Sequence, residues 1–465
     1  MKTSKTLFKT LILVFALSFI WACSDDDSDP VVAADPDIVD LALDTDDLSI
    51  LVEALQAANL VTTLQGDGPF TVFAPTNAAF QAFLTDNNFA SLSDVPVDVL
   101  TQVLLNHVVA GTNLSTGLST SYVSSSSTAG AGGNALSLYI NTASGVSING
   151  VSDVVTPDVV ASNGVVHIVD AVIGLPDVVD HAVANTDLSE LVGALTANGN
   201  TTFTDLLSDD NTDFTVFAPV NSAFTAFTNP NSNELDNILS NHVIVGAAAA
   251  SSGLSNSYLN TAGENGDGDN LSIYINTDNG VTLNGVSTVA AADIVATNGI
   301  IHAVDAVIDI PTVVTFAVAD PTFAPLVTAL TEGTPDTDFV TVLNGNGPFT
   351  VFAPTNTAFD NLLTALNLSE VTEIEQGLLT SVLNHHVVSG NIRSGDLTNP
   401  GDTVAPTLEG DNITITLPGT DNGVNIADVT DGAGNSGIGI IAVDVQAGNG
   451  VIHVLDTVLL PDTNN

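Results

Sequence analysis

The feature that most constrains this fold is repetition. Phe70-Thr-Val-Phe-Ala-Pro-Thr-Asn-Ala-Ala-Phe80 returns almost unchanged as Phe214-Thr-Val-Phe-Ala-Pro-Val-Asn-Ser-Ala-Phe224 and as Phe349-Thr-Val-Phe-Ala-Pro-Thr-Asn-Thr-Ala-Phe359. A closing box follows each: Asn163-Gly-Val-Val-His-Ile-Val-Asp170, Asn298-Gly-Ile-Ile-His-Ala-Val-Asp305 and Asn449-Gly-Val-Ile-His-Val-Leu-Asp456. Between them lie Asn106-His-Val-Val-Ala-Gly111, Asn241-His-Val-Ile-Val-Gly246 and His385-His-Val-Val-Ser-Gly390. The order never changes and the period is 135 to 151 residues. That is the size of a domain and far too long for a solenoid repeat. Each unit closes on a proline (Pro176, Pro311, Pro461), and the next starts at once with Asp177 or Thr312. The expected domains are therefore 37–176, 177–311 and 312–465, joined without linkers as a semi-rigid rod.

Within a unit the pattern reads helix first, strand later. Apolar residues in 37–43 and 48–55 recur at three- and four-residue spacing, as do those in 188–195 and 323–330. Phe70–Phe73 alternates like a strand, which Pro75 ends. Asn77, Asn221 and Asn356 then recur while the residue before them varies, so the asparagine is assigned the cap or turn lock of the next helix. Residues 99–109 read as a second amphipathic helix that carries His107 one turn after Val103. Strands are expected at 136–140 and 146–148, at 271–275 and 281–283, and at 413–417 and 424–426. The pairs Asn163-Gly164, Asn298-Gly299 and Asn449-Gly450 predict type I′ turns, with a final strand over 165–173.

Charge excludes whole classes of partner. The chain has 53 acidic residues against four basic ones, three of which are Lys2, Lys5 and Lys9; beyond them only Arg393 remains. Nothing is available to neutralise phosphates, so nucleic acid and anionic lipid head groups are excluded. Such a surface needs cations to screen it.

Residues 1–22 have the parts of an export signal: a basic start, an apolar run of about twelve residues that is too short to span a bilayer, and Trp21-Ala22 before Cys23. Cys23 is the single cysteine. It stands where bacterial lipoproteins carry the acylated residue, so a lipid anchor on Cys23 is expected to attach the chain to a membrane. No disulfide is then possible. Residues 23–36 form an acidic, disordered tether. The run Asp25-Asp-Asp27 after the cysteine resembles the surface-export tag of Bacteroidetes lipoproteins, which implies the outer face of the outer membrane. The alternative is a plain solvated tether, with the domains facing the periplasm.

The three ordered boxes resemble those of fasciclin (FAS1) domains, over nearly all of residues 37–461. The resemblance implies an α+β fold: three wedge-shaped β-sandwiches with helices packed along one side. It also implies adhesion or association with matrix or surfaces, through a protein or glycan partner; the alternatives are a periplasmic or envelope spacer and a glycan- or small-ligand-binding surface component. In some animal members the middle histidine follows a tyrosine tied to integrin binding. Here the preceding residue is Asn106, Asn241 or His385, so that role is not carried over.

The repeated histidines, His107 with His167, His242 with His302, and His386 with His453, lie 60 to 67 residues apart without a third ligand at metal spacing. They are read as buried structural residues, together with Asp170, Asp305 and Asp456 of the closing boxes. No catalytic constellation and no cofactor is expected: the mature chain would hold no lysine and no free thiol, and no nucleophile elbow is present. Calcium is a weak alternative at two glycine-rich acidic loops, 263–270 and 428–435, neither with EF-hand spacing.

Overall fold

The computed structural model describes residues 35–333, 335–420 and 425–462. The signal segment, Cys23 and the tether up to residue 34 lie outside the described residues.

The first unit runs α1 (Ile38–Leu43), α2 (Ser49–Ala57), α3 (Val61–Leu64), β1 (Phe70–Pro75), α4 (Asn77–Asp86), α5 (Val97–Asn106), β2 (Val108–Ala110), β3 (Ser121–Ser124), β4 (Ser137–Asn141), β5 (Ser147–Ile148), β6 (Ser152–Ala161) and β7 (Gly164–Val169). The second and third units repeat this order. Each starts with a reciprocal cap directly after its boundary. Asp37 accepts the amide of Asp40 while Asp40 accepts that of Asp37, and the pairs Asp177/Asp180 and Thr312/Thr315 do the same.

Seven strands pair in the order β2-β1-β7-β6-β5-β4-β3. β1 and β7 are parallel, Phe70 opposite Gly164 through Pro75 opposite Val169. The two most repetitive boxes of the sequence are thus adjacent strands in the centre of the sheet. β6 changes register twice against β7, between Val154 and Val159. Such bulges bend a strand, so β6 serves both layers of the sandwich. One apolar cluster, with Phe73, Leu138, Ile140, Ile148, Val169 and Ile173, fills the space between the layers. The other, with Ile38, Leu51, Leu55, Phe80, Leu100 and Val166, lies between sheet and helices. The fold is the expected α+β wedge, three times over.

Four local expectations need correction. The final strand expected over 165–173 ends at Val169. The helix predicted over 99–109 ends at Asn106; His107 caps it, and Val108–Ala110 leaves as a strand. The strand predicted at 424–426 appears at Ala427–Thr430, with residue 424 outside the described residues. Asn163-Gly164 is not a type I′ turn, because Asn163 does not adopt positive φ. The type I′ geometry sits at Asn149-Gly150 and Asn284-Gly285, with both residues of each pair between +50° and +67°. Gly164 answers to close approach instead: a Cβ there would lie 2.1 Å from the carbonyl oxygen of Phe70.

The junctions between units are also repeated. Tyr122 packs at a tilt against Tyr139 and meets His181 of the second unit edge-on at 5.6 Å. Tyr258 packs at a tilt against Tyr274 and meets Phe316 of the third at 5.5 Å. Ser137 Oγ accepts the Val295 amide and Ser272 Oγ that of Gln446, each at 2.9 Å. The same face of each unit therefore receives the same edge of the unit before it.

Candidate functional site

The middle histidine is a link between elements. His107 Nδ1–H donates to the Val103 carbonyl at 2.7 Å, closing the end of α5, and Nε2 accepts the Ile173 amide at 2.9 Å. His242 bridges Ile238 and Ile308, and His386 bridges Val382 and Leu459, in the same way. Both ring nitrogens are used and the neutral tautomer is the one that fits. Burial lowers the pKa of all three to about 4, only partly opposed by the carbonyl bond.

The closing-box histidine takes the opposite tautomer. His167 Nε2–H donates to the Asn113 carbonyl at 2.9 Å, and Nδ1 accepts the Asp158 amide at 3.2 Å. Phe73 stacks on the ring. His302 and His453 repeat this with Ala249 and Asp293, and with Ile392 and Asp444. Burial lowers the pKa of His302 and His453. Asp158, Asp293 and Asp444 stand at φ near +60° in the bulge. Each carboxylate accepts both the amide and the hydroxyl of one serine: Ser115, Ser251 and Ser394. Those bonds hold Asp158 below the usual carboxylate range. Sequence reasoning missed these aspartates. The available signal was an Asp nine residues before each closing-box histidine.

The repeated asparagine has a longer reach than expected. Thr76, not Asn77, caps α4. Asn77 Oδ1 accepts the Ile50 amide in the first turn of α2, and Nδ2 donates to the Asp46 carbonyl. Asn221 does likewise with Glu190 and Thr186. Asn356 keeps only the bond to the Pro321 carbonyl. Asn163 accepts the Ile38 amide and donates to the carbonyls of Leu64 and Gly66, so it ties the start of α1 to the end of α3. Asp170, Asp305 and Asp456 accept the amides of Asp153, Thr288 and Gly439 and pin the start of the bent strand. The repeated polar residues of the three boxes thus bond to backbone of their own unit, which is the work of a scaffold.

The acidic loops have protein partners. In the first loop Asp269 pairs with Arg393 of the third unit and accepts Asn391 Nδ2 at 3.1 Å. In the second, Asp428 accepts Thr420 and Asn425, while Asp431 accepts Asn435 and the Leu460 amide. A separate cluster, His385 with Glu409 and Asp411, gathers potential ligand atoms within 4.8 Å. His385 Nε2 there accepts the Gly432 amide at 3.0 Å, which puts the ring proton on Nδ1. The Nδ1–H then donates to Thr407 Oγ1 at 3.3 Å, with Glu409 farther off at 3.8 Å, so both ring nitrogens have protein partners and the geometry fits a hydrogen-bonded histidine better than a metal ligand.

The chain resembles known proteins over most of its length. The chain is 28% identical over 437 residues to the transforming growth factor-beta-induced protein ig-h3 of Sus scrofa, covering 90% of this chain and 57% of that one. It is 26% identical to human periostin over 74% of the chain and 39% of that protein. It therefore spans about half the length of these curated relatives. A cell surface glycolipoprotein, MPB83 of Mycobacterium bovis, is 33% identical over 150 residues, 32% of this chain and 60% of its own. A solved FAS1 domain pair from the insect cell adhesion molecule Fasciclin I overlays with a TM-score of 0.38 and 22% identity, over 59% of this chain and 97% of that one. The fasciclin domain model matches three times, at residues 46–176, 186–311 and 322–461, and the chain belongs to the fasciclin domain family.

Proposed function

We propose that this chain is a non-catalytic surface protein, anchored by a lipid on Cys23, whose three fasciclin domains mediate adhesion or contact with matrix through a protein or glycan partner. The observation that carries the reading is the use of the repeated polar residues. They are consumed in holding each domain together, leaving variable loops and strand edges as the contact surface. The repeated tyrosine junctions support a stiff three-domain stalk that would present those loops away from the anchor. A relative named as a cell surface glycolipoprotein points the same way.

Protease shaving of intact cells expressing the full chain tests it. Cleavage of the domains while a periplasmic control survives supports surface adhesion. Protection until the outer membrane is broken overturns it in favour of a periplasmic or envelope spacer, the second reading that the acidic tether leaves open.

A further inference from the structure

The third domain departs from its siblings at three places, and all three meet at one spot. The residue before the middle histidine is His385, where the others have Asn106 and Asn241. The connection between its strands Ala427–Thr430 and Ile438–Ala447 has seven residues, against three in the first domain (149–151) and three in the second (284–286). Leu362 stands where the others carry Phe83 and Phe227, three residues after the repeated phenylalanine. The longer connection folds back so that the Gly432 amide reaches His385 and the Ala433 amide reaches the Leu460 carbonyl. There it closes one end of a cleft of about 250 Å³ between helices Asn356–Leu366 and Gln376–His385.

Leu362, Leu366, Ile374, Leu378, Leu460 and Pro461 are among the residues lining this cleft, and its wall is almost wholly apolar. A cavity of roughly 150 Å³ with such a lining is enough to bind benzene. At about one water volume, ~30 Å³, per methylene, the cleft has room for a chain of about eight carbons. The polar groups next to it are acidic. Glu409 and Asp411 lie with His385, Asp431 is two residues from Ala433, and Asp462 follows Pro461. Glu409 accepts Ser381 Oγ and the Asp411 amide, and Asp431 accepts Asn435 and the Leu460 amide. Those donors are neutral and leave the negative charge in place. His385 is no counter-charge, since burial lowers its pKa. Arg393 is engaged elsewhere, with Asp269 and Asp396.

We infer that this cleft is a binding site for a small cationic amphiphile, its alkyl or ring portion between the two helices and its ammonium-type head beside Glu409 and Asp431. An anionic amphiphile of the same size would meet this acidic cluster and a strongly acidic chain all round.

The test uses the chain from Ser24 onward, which keeps every described residue, with the uncharged dye N-phenyl-1-naphthylamine as reporter. The expected result is saturable single-site fluorescence, displaced by decylammonium at about tenfold lower concentration than by decanoate. Filling the cleft with L362F/A365F should cut dye affinity by about tenfold or more while the unfolding midpoint holds or rises. The variant E409Q should keep dye binding and weaken the preference for the cation. Absence of saturable binding, unchanged binding in L362F/A365F, or equal displacement by the two amphiphiles would each overturn the proposal. None of these outcomes depends on where the protein resides, so the adhesion reading stands or falls separately.

Discussion

Asn77 Oδ1 accepts the amide hydrogen of Ile50 at 2.8 Å, so a side chain at the start of one helix caps another that begins 28 residues earlier in the chain. The second domain keeps the bond, with Glu190 in place of Ile50. In the third the equivalent residue is Pro325, which has no amide hydrogen, and Asn356 Oδ1 is left buried without a partner.

Pro325→Glu should therefore stabilise the third domain. Satisfying a buried acceptor is worth about 1–3 kcal/mol, while losing the proline's constraint on the unfolded chain costs about 0.4–1 kcal/mol. The expected net gain is about 1 kcal/mol. Hydrogen exchange resolved by domain would show it as slower opening of peptides from 312–462 alone. Asn77→Ala should cost the first domain more than Asn356→Ala costs the third.

The middle histidines make stability depend on pH. Unfolded, each takes up its proton near 6.5; folded, near 4, because burial opposes the charge. Between those values the unfolded chain binds more protons, so stability falls as pH falls. The contribution is full above 6.5 and gone below about 4, and amounts to about 3 kcal/mol per domain. Acid also relieves repulsion among the carboxylates, which works in the opposite direction. The informative quantity is thus the difference between the native chain and His107→Gln in urea midpoints at several pH values. It should shrink as pH drops from 7 to 4.5.

Gly164→Ala should be severe. Its Cβ would lie 2.1 Å from the Phe70 carbonyl oxygen, on the parallel strand that joins the two repeated boxes. Backbone must move, and a loss of about 3 kcal/mol or more is expected. A thermal midpoint that falls for the first domain while the others hold is the measurement.

At the second junction, Tyr258 should outweigh Arg393. The Tyr258 hydroxyl donates to the buried Asp320 carboxylate at 2.9 Å and its ring packs on Phe316. Arg393 is about two-fifths exposed, and such pairs are worth about 0–1 kcal/mol. Tyr258→Ala should uncouple the unfolding of the second and third domains; Arg393→Ala should change it little. Arg393→Ala should, however, release Asp269 and make the 263–270 loop sensitive to calcium, read as a calcium-dependent shift that the native chain lacks.

Repetition made the domain order, the β1 and β7 boxes and the apolar positions legible in the sequence, because the same burial problem is solved three times and only solutions compatible with one core recur. The acidic balance, 53 acidic residues against four basic ones, was likewise legible without any structure. What the sequence left undecided was where each polar group finds its partner. Asn163 looks like a turn residue in its own neighbourhood, yet its amide serves Ile38 and Leu64, about a hundred residues away. Asn77 looks like a cap for its own helix and caps another. Asp158 recurs nine residues before each closing-box histidine, but that spacing does not say that its amide would brace the ring across a bulge. A hydrogen bond needs its partners within about 3 Å, and only the closing of the sheet on the helices decides which groups come that near.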